Sequence, residues 1–395
     1  MLGRLKFEIG DLIKEILDTI PEKVWSSSTT TFLDPSMGGG QFVHAIEQRL
    51  KDAGHSAENI ATRVYGYESN QMRINYAVNK YGLLGTYINS DKDFVDLQID
   101  NKVDVLIGSP SFKKGAGNSD QLYPIYLNKG VDQVVKLGGL QLFISPPTFT
   151  SGTKQLTNTG RINLLEKFVT THNLIELNYN ANNYFKGVGS QFVTSIVEVG
   201  VPYQGTTRIV SKDGNVFNVD LTGVSCLPDS DMITEEFVNL FTAMQKKQGE
   251  KFYFKFVDNK DLKTADYVND KLDEYCYEYI NASSNHENKF AKIPNYVGNY
   301  FVHSAYLGSK FKFSYFLNND ISVMHNGRVW LDDRLKNTTE EILKSVFESD
   351  LFKQTVYTYK FTQYNEMAFV NKIAIPPLDR VWKNSDLEKW YLDSN

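Results

Sequence analysis

The residues best suited to chemistry stand in a turn near the N-terminus. The stretch TFLDPSMGGGQF, residues 31–42, passes from an apolar run into three consecutive glycines and then into a helix-like pattern. Glycine removes the Cβ atoms that would block a ligand, so backbone N–H groups and a helix N-terminus can approach a bound cofactor. The stretch indicates a cofactor-binding turn, although three glycines after a strand are also a common loop.

Two acidic residues follow at the ends of the next two apolar runs. Glu68 closes ATRVYGYE, about thirty residues after the glycines, which is the spacing of a βαβ unit. A carboxylate there could accept hydrogen bonds from two ribose hydroxyls. Asp91, in YINSDKDF, could accept a hydrogen bond from an adenine amine. An acidic residue at a strand end is equally often a helix cap, so this role of Asp91 stays open.

A fourth apolar run, KVDVLIG, delivers a loop that begins Gly108-Ser109-Pro110-Ser111-Phe112. Open α/β sheets place their chemistry beyond the carboxyl ends of their strands. We therefore expect this loop to lie beside the glycine turn and to carry the reacting groups.

The elements that must position these residues form an alternating pattern from Thr31 to Gly200. Short apolar runs are separated by stretches with helical periodicity, such as FVHAIEQRLKDAG, and this alternation predicts a doubly wound parallel sheet of the α/β class. The polar run TSGTKQLTNTG, between residues 150 and 160, predicts a mobile surface loop. After about residue 203 the rhythm is lost, which predicts two domains, 1–203 and 204–395, the second of mixed α+β structure.

Composition limits the function classes. The 395 residues are 41% hydrophobic, without an apolar run long enough to cross a bilayer, so we expect a protein without a membrane partner, located in the cytoplasm. The two cysteines have neither the number nor the spacing for a zinc site, so no metal is predicted. A net charge of −5 gives no global attraction to nucleic acid, while an aromatic content of 13% suits base stacking.

The segment DPSMGGGQF resembles the DPACGSGNF-type motif of S-adenosylmethionine-dependent DNA amino-methyltransferases of bacteria and phages, and the order of its neighbours resembles the gamma class of that family. The resemblance implies a Rossmann-like class I methyltransferase sheet and S-adenosylmethionine as the cofactor. The family's threonine-proline pair is absent, with Glu8 and Ile9 near its place. The cofactor-binding residues that the resemblance implies are Asp34, Pro35, Ser36, Gly38, Gly40, Phe42, Glu68 and Asp91.

In that family the loop after the fourth strand reads Asn-Pro-Pro-Tyr or Asn-Pro-Pro-Phe, and it binds the exocyclic amine of a flipped base. By resemblance, Ser109, Pro110, Ser111 and Phe112 are the catalytic residues. Phe112 would stack on the base, while Ser109 reaches less far than Asn and Ser111 loosens the loop. Three explanations of this loop stay open: a working variant, a naturally degenerate enzyme and a deliberate inactivation.

The region after residue 200 would read the DNA sequence. Within the loop 183–189, which resembles the wall of the target-base pocket, Tyr184 and Phe185 are candidate base contacts. In the C-terminal half, lysines interleave with aromatic residues, as phosphate contacts do and as half-buried strands also do. The candidate phosphate contacts are Lys246, Lys247, Lys251, Lys310 and Lys312.

The sequence thus predicts a site-specific DNA methyltransferase that acts on an exocyclic amine, adenine N6 in preference to cytosine N4. One alternative is a catalytically degenerate protein that binds DNA or cofactor. Another is an RNA or protein-glutamine methyltransferase, because such enzymes use a similar loop. DNA is the expected partner, and a companion restriction or specificity subunit is possible in such systems but is not indicated by the sequence.

Overall fold

The computed structural model describes most of the N-terminal half and parts of the C-terminal half. The described residues are 2–89, 94–110, 121–185, 188, 190–252, 254–256, 267–268, 277–280, 289–291, 300–304, 313–317, 321–323, 328–358 and 370–393. They divide into two compact units, one formed by residues 1–226 with 233–235 and the other by 227–232 with 236–395.

The first unit is built on a nine-stranded sheet in the order β11-β10-β8-β9-β5-β4-β1-β2-β3. Strands β3, β2, β1, β4 and β5 run parallel, and β9 lies antiparallel between β5 and β8. The strands are β1 (Phe32–Asp34), β2 (Val64–Glu68), β3 (Thr86–Asn89), β4 (Val103–Gly108), β5 (Val135–Ser145), β8 (Asn173–Asn178), β9 (Val193–Glu198), β10 (Thr207–Val210) and β11 (Val216–Val219).

Helices cover both faces of this sheet. They are α1 (Leu2–Asp18), α2 (Glu22–Ser26), α3 (Gln41–Asp52), α4 (Ala57–Ala61), α5 (Gln71–Tyr81), α6 (Tyr123–Lys129) and α7 (Leu164–Thr171). Helices α1, α2, α3 and α5 share one apolar core with Phe32, Val64 and Leu142 of the sheet. Gln141, the neighbour of Leu142 on β5, hydrogen-bonds instead to Leu127 of α6 on the other face. The predicted doubly wound α/β sheet is therefore confirmed.

The amphipathic pattern explains this packing. Within α3, the buried positions Phe42, Val43, Ile46, Glu47 and Leu50 follow helical spacing. Glu47 is buried because its carboxylate accepts the N–H groups of Leu84 and Gly85 and the hydroxyl of Tyr87. These bonds tie α3 to the turn that leads into β3.

The polar run near residues 150–160 was wrongly predicted to be a mobile surface loop. It contains the hairpin β6 (Gln155–Thr157) and β7 (Gly160–Ile162), in which Gln155 and Thr157 are buried. The side chains of Gln155 and Thr157 donate to backbone carbonyls, so the polar composition serves internal hydrogen bonds. The first unit also extends beyond residue 203, because β10 pairs with β8 and β11 pairs with β10.

The second unit combines short strands with helices, as the predicted mixed α+β class requires. Two four-stranded sheets have the orders β12-β19-β16-β17 and β13-β15-β14-β18. Their strands are β12 (Phe254–Phe256), β13 (Tyr267–Val268), β14 (Tyr277–Ile280), β15 (Lys289–Ala291), β16 (Tyr300–Ser304), β17 (Phe313–Leu317), β18 (Ile321–Val323) and β19 (Arg328–Leu331). The helices are α8 (Glu235–Lys246), α9 (Glu340–Phe347), α10 (Asp350–Thr358) and α11 (Asn384–Leu392).

Two features are absent from the described residues. No helix among them combines the length and the apolar character that a membrane crossing requires. In the same ranges, no cluster of three or more His, Cys, Asp or Glu side chains is arranged to hold a metal ion.

Candidate cofactor and substrate site

The predicted site residues meet where the strand order reverses. Strand β1 lies between β2 and β4, and all three run parallel, so the chain leaves them at the same edge of the sheet. A crevice outside the carboxyl ends of the strands at such a reversal is where open α/β sheets bind ligands. Asp34 ends β1, Glu68 ends β2 and Gly108 ends β4. The fold therefore brings the three predicted segments to one edge.

Asp34 is the most buried acidic group at this edge. Its side chain is 1% exposed, and its Oδ1 accepts the N–H of Ser36 at 3.0 Å. Burial raises the pKa of Asp34 to about 7, the Ser36 N–H opposes that rise, and the charge of Glu68 adds to it. A nearby positive charge would favour the ionised form of Asp34.

The glycine turn leaves open space on its outer side. Gly40 has a φ of +79°, and a Cβ there would lie 2.7 Å from Cβ of Ala77, so glycine is required on both counts. Gly39 is exposed, and a Cβ built on it would meet no atom within 4 Å. Helix α3 begins at this turn without a side-chain cap, which leaves its first N–H groups available to an acceptor. The turn thus offers backbone donors beside free space.

The remaining predicted cofactor residues of the turn support its shape. Pro35 is buried, Ser36 supplies the N–H bound by Asp34, and Gly38 adopts a φ of +51°. Phe42 is 7% exposed and belongs to the apolar core of the α3 face. Phe42 therefore holds α3 against the sheet through packing.

One carboxylate oxygen of Glu68 is bonded within its own turn, and the other is not. Oε1 accepts the N–H of Asn70 at 2.9 Å, and Asn70 caps α5 by accepting the N–H of Met72. Oε2 lies 3.8 Å from the guanidinium of Arg73, whose side chain is 64% exposed. Glu68 keeps acceptor capacity at Oε2, since Arg73 stands beyond hydrogen-bond distance. Residue 73 lies in the first turn of α5, where its role escaped the sequence analysis.

The predicted catalytic loop is described only at its start. Ser109 is half-buried and Pro110 is buried at the carboxyl end of β4. The preceding glycine was not recognised from the sequence as a contact of Asp34: a Cβ on Gly108 would lie 2.6 Å from Asp34 Oδ1. The predictions for Asp91, Ser111, Phe112, Lys310 and Lys312 fall outside the described residues.

The two candidate base contacts are engaged within the first unit. The hydroxyl of Tyr184 donates to the carboxylate of Glu15 on α1, and the ring of Phe185 packs on Phe192 with centroids 4.2 Å apart. Both aromatic side chains pack against the core of the α3 face. In this conformation both side chains contact other residues of the first unit.

The described lysines of the second unit are also engaged. Lys247 is 7% exposed, donates to the carbonyl of Asp393 and lies over the ring of Trp390, so it does not display a free ammonium for phosphate. Lys251 donates to the carbonyls of Gln245 and Lys247 at the end of α8. Lys246 ends α8 and is half-buried. Lys247 is therefore engaged within the second unit, and its role as a phosphate contact stays a prediction.

Comparisons with known proteins give distant structural likenesses. No protein-family model matches the chain, and no curated protein matches it. A protein from Listeria monocytogenes assigned to the class I S-adenosylmethionine-dependent methyltransferases is 15% identical, with a TM-score of 0.40, over 51% of this chain and 64% of that chain. The M protein of the type I restriction enzyme EcoKI is 11% identical, with a TM-score of 0.35, over 47% and 46%.

A third likeness extends over more of the sequence. The type IIL restriction-modification enzyme MmeI, solved in complex with DNA, is 10% identical, with a TM-score of 0.41, over 88% of this chain and 62% of that chain. The present chain thus spans less than two thirds of the length of each of these three proteins.

Proposed function

We propose that this chain is an S-adenosylmethionine-dependent DNA methyltransferase acting on the exocyclic amine of a flipped base, adenine N6 in preference to cytosine N4. The observation that carries the proposal is the meeting of Asp34, Glu68 and the Ser109–Pro110 loop at one edge of the sheet, where the strand order reverses. The preference for DNA and for adenine rests on the sequence resemblance of the glycine turn and its neighbours.

The residues present fit the proposed cofactor. Oε2 of Glu68 is an acceptor for ribose hydroxyls, and the free space at Gly39 admits a ligand against the turn. Burial raises the pKa of Asp34 to about 7, so a cationic ligand bound near it would favour its ionised form. When bound, S-adenosylmethionine supplies a methyl group activated by a positively charged sulfur.

The chain's own groups would do the positioning. An exocyclic amine is a poor nucleophile because its lone pair is delocalised into the base ring. The Ser109 hydroxyl and the Pro110 carbonyl would accept its two N–H bonds, turning the lone pair towards the methyl group. Ser109 and Pro110 would hold the amine for methylation by the bound cofactor, whose sulfur would be the leaving group, and the amine proton would pass to water. Alignment of the amine with the methyl group would contribute more to the rate of transfer than proton removal by a strong base.

The decisive experiment follows labelled methyl from S-adenosylmethionine into unmethylated duplex DNA, with calorimetry of cofactor binding on the same sample. Label recovered in N6-methyladenine supports the proposal, and label in N4-methylcytosine corrects the base. Glu68→Gln should weaken cofactor binding at least tenfold, because a neutral amide is a poorer acceptor. Glu58→Gln, a change of an exposed carboxylate on α4, is the matched control and should leave binding unchanged.

The loop sequence Ser-Pro-Ser-Phe motivates a second candidate, a protein that binds cofactor and DNA without chemistry. The side chain of Ser109 is shorter than the Asn that the resemblance implies at its position. Cofactor binding without methyl transfer would support this candidate. Transfer that appears only in Ser109→Asn/Ser111→Pro would assign the loss of activity to the loop. Transfer to RNA or to a glutamine-containing peptide, and not to DNA, would overturn the DNA assignment.

A further inference from the structure

Helix α6 carries a buried lysine whose ammonium is bonded to the backbone of another segment. Lys129, the last residue of α6, is 2% exposed. Its ammonium donates to the backbone carbonyls of Phe94 at 2.7 Å and Val95 at 3.1 Å, and to that of Leu97. A buried ammonium is costly unless its N–H groups are satisfied, and three carbonyls match its three donors. Lys129 therefore fixes the backbone of residues 94–97.

This backbone segment contacts the residue next to Glu68. Its 3₁₀ turn, Phe94–Asp96, follows the carboxyl end of β3 within a few residues. The ring of Phe94 meets Tyr67, the neighbour of Glu68, at 5.8 Å between centroids. It also stacks on Tyr126 of α6 at 5.3 Å. The turn is thus held between the end of β2 and α6.

Helix α6 is itself locked to the sheet. At the start of the π-helical turn that follows α6, a Cβ on Gly130 would lie only 1.8 Å from Oε1 of Gln141, so glycine permits this close approach. The amide of Gln141 donates to the carbonyl of Leu127 at 3.2 Å. Strand β5 therefore holds α6 in place, and α6 in turn holds residues 94–97 through Lys129.

We infer that Lys129 is a positioning residue for the nucleoside side of the cofactor site. Lys129 would act through the backbone of residues 94–97 and the contact of Phe94 with Tyr67, the neighbour of Glu68. The inference rests on the proposed function. It assigns to Lys129 the affinity for the adenosine part shared by S-adenosylmethionine, S-adenosylhomocysteine and 5′-methylthioadenosine.

The test uses the full chain and three variants. Lys129→Met removes the charge and all three donors, and Lys129→Gln keeps N–H donors without the charge. Lys167→Met is the matched control, because Lys167 bonds to Asn128 of α6 and to Asp132 and has no bond to the 94–97 carbonyls. Calorimetry gives the affinity for the three adenosine compounds, and hydrogen exchange without ligand gives the protection of the amides in residues 94–97.

We expect Lys129→Met to weaken binding of all three compounds at least tenfold and to speed exchange in residues 94–97. Lys129→Gln should lie between wild type and Lys129→Met, whereas Lys167→Met should bind within threefold of wild type. If Lys129→Met does not fold, Lys129→Gln against Lys167→Met decides. Wild-type affinity in either Lys129 variant, or equal losses in Lys167→Met, overturns the inference while the proposed function stands. Failure of the wild-type chain to bind any of the three compounds overturns both.

Discussion

The carboxylate of Asp34 lies against the backbone of Gly108: a Cβ built on Gly108 would stand 2.6 Å from Oδ1 of Asp34. This contact joins the ends of β1 and β4, the two strands at which the sheet order reverses. Glycine at 108 therefore lets the glycine turn and the Ser109–Pro110 loop share one crevice. A larger side chain at residue 108 would test whether this contact aligns the turn and the loop.

Gly108→Ala should push the two strand ends apart. Its methyl group would meet a buried carboxylate that has little room to move, so we expect a loss of about 1–3 kcal/mol in the free energy of unfolding. Cofactor affinity should fall with it, because Asp34 and the loop no longer align. Denaturant melts and calorimetry measure the two effects, and unchanged cofactor binding would show that the contact is irrelevant to the crevice.

Gly39→Ala, in contrast, should leave the stability of the protein nearly unchanged. A Cβ at this position meets no protein atom within 4 Å, so the free energy of unfolding should change by less than about 0.5 kcal/mol. The added methyl would occupy the space proposed for the cofactor, so S-adenosylmethionine affinity should fall at least tenfold. Gly10→Ala, also in open space but on α1, is the control and should leave affinity unchanged. Normal affinity in Gly39→Ala would place the cofactor elsewhere.

Much of the first unit could be predicted because its signals are local. The apolar runs that end at Asp34, Glu68 and Gly108 became β1, β2 and β4, and glycines after β1 formed the expected turn. The hairpin at 155–162 could not be predicted, since its polar side chains are satisfied by partners that only the fold supplies. Lys129 was missed for the same reason: a lysine at a helix end usually faces water, and its three carbonyls come from another segment.

Asp34 should couple cofactor binding to protons. The folded-state pKa of Asp34 is about 7, above the 3.8 of an unperturbed aspartate, so Asp34 favours the folded state at low pH and this contribution is lost as pH rises towards 7. A sulfonium near Asp34 would favour the ionised form, so binding near pH 6.5 should release part of one proton and tighten towards pH 8. Calorimetry in buffers of different ionisation enthalpy counts the protons. Asp34→Asn should abolish the release, and equal release in that variant would contradict the assignment to Asp34.

Tyr123 should anchor the end of the predicted catalytic loop. It begins α6, is 1% exposed and hydrogen-bonds through its hydroxyl to Thr148, in the segment after β5. The bond fixes the start of α6, the first helix after the predicted catalytic loop. Tyr123→Phe and Thr148→Val should each lower kcat several-fold with cofactor affinity unchanged, and the double variant should be no worse than either. Additive losses in the double variant would show that the two residues act separately.

His172 should make the sheet acid-sensitive independently of the site. It precedes β8, at the sheet edge opposite the crevice, where its Nδ1 accepts the N–H of Gly200 at 3.0 Å. Burial and then the charge of Lys167 lower its pKa to about 4, against 6.5 for an unperturbed histidine. Between pH 6.5 and 4 this histidine is protonated in the unfolded chain and neutral in the folded chain. The free energy of unfolding should therefore fall over this range, by up to about 3 kcal/mol. His172→Asn keeps an acceptor for Gly200 and cannot be protonated, so its stability should vary less over this range. Denaturant melts at several pH values measure the difference, and parallel curves for the two proteins would assign the acid sensitivity to other groups.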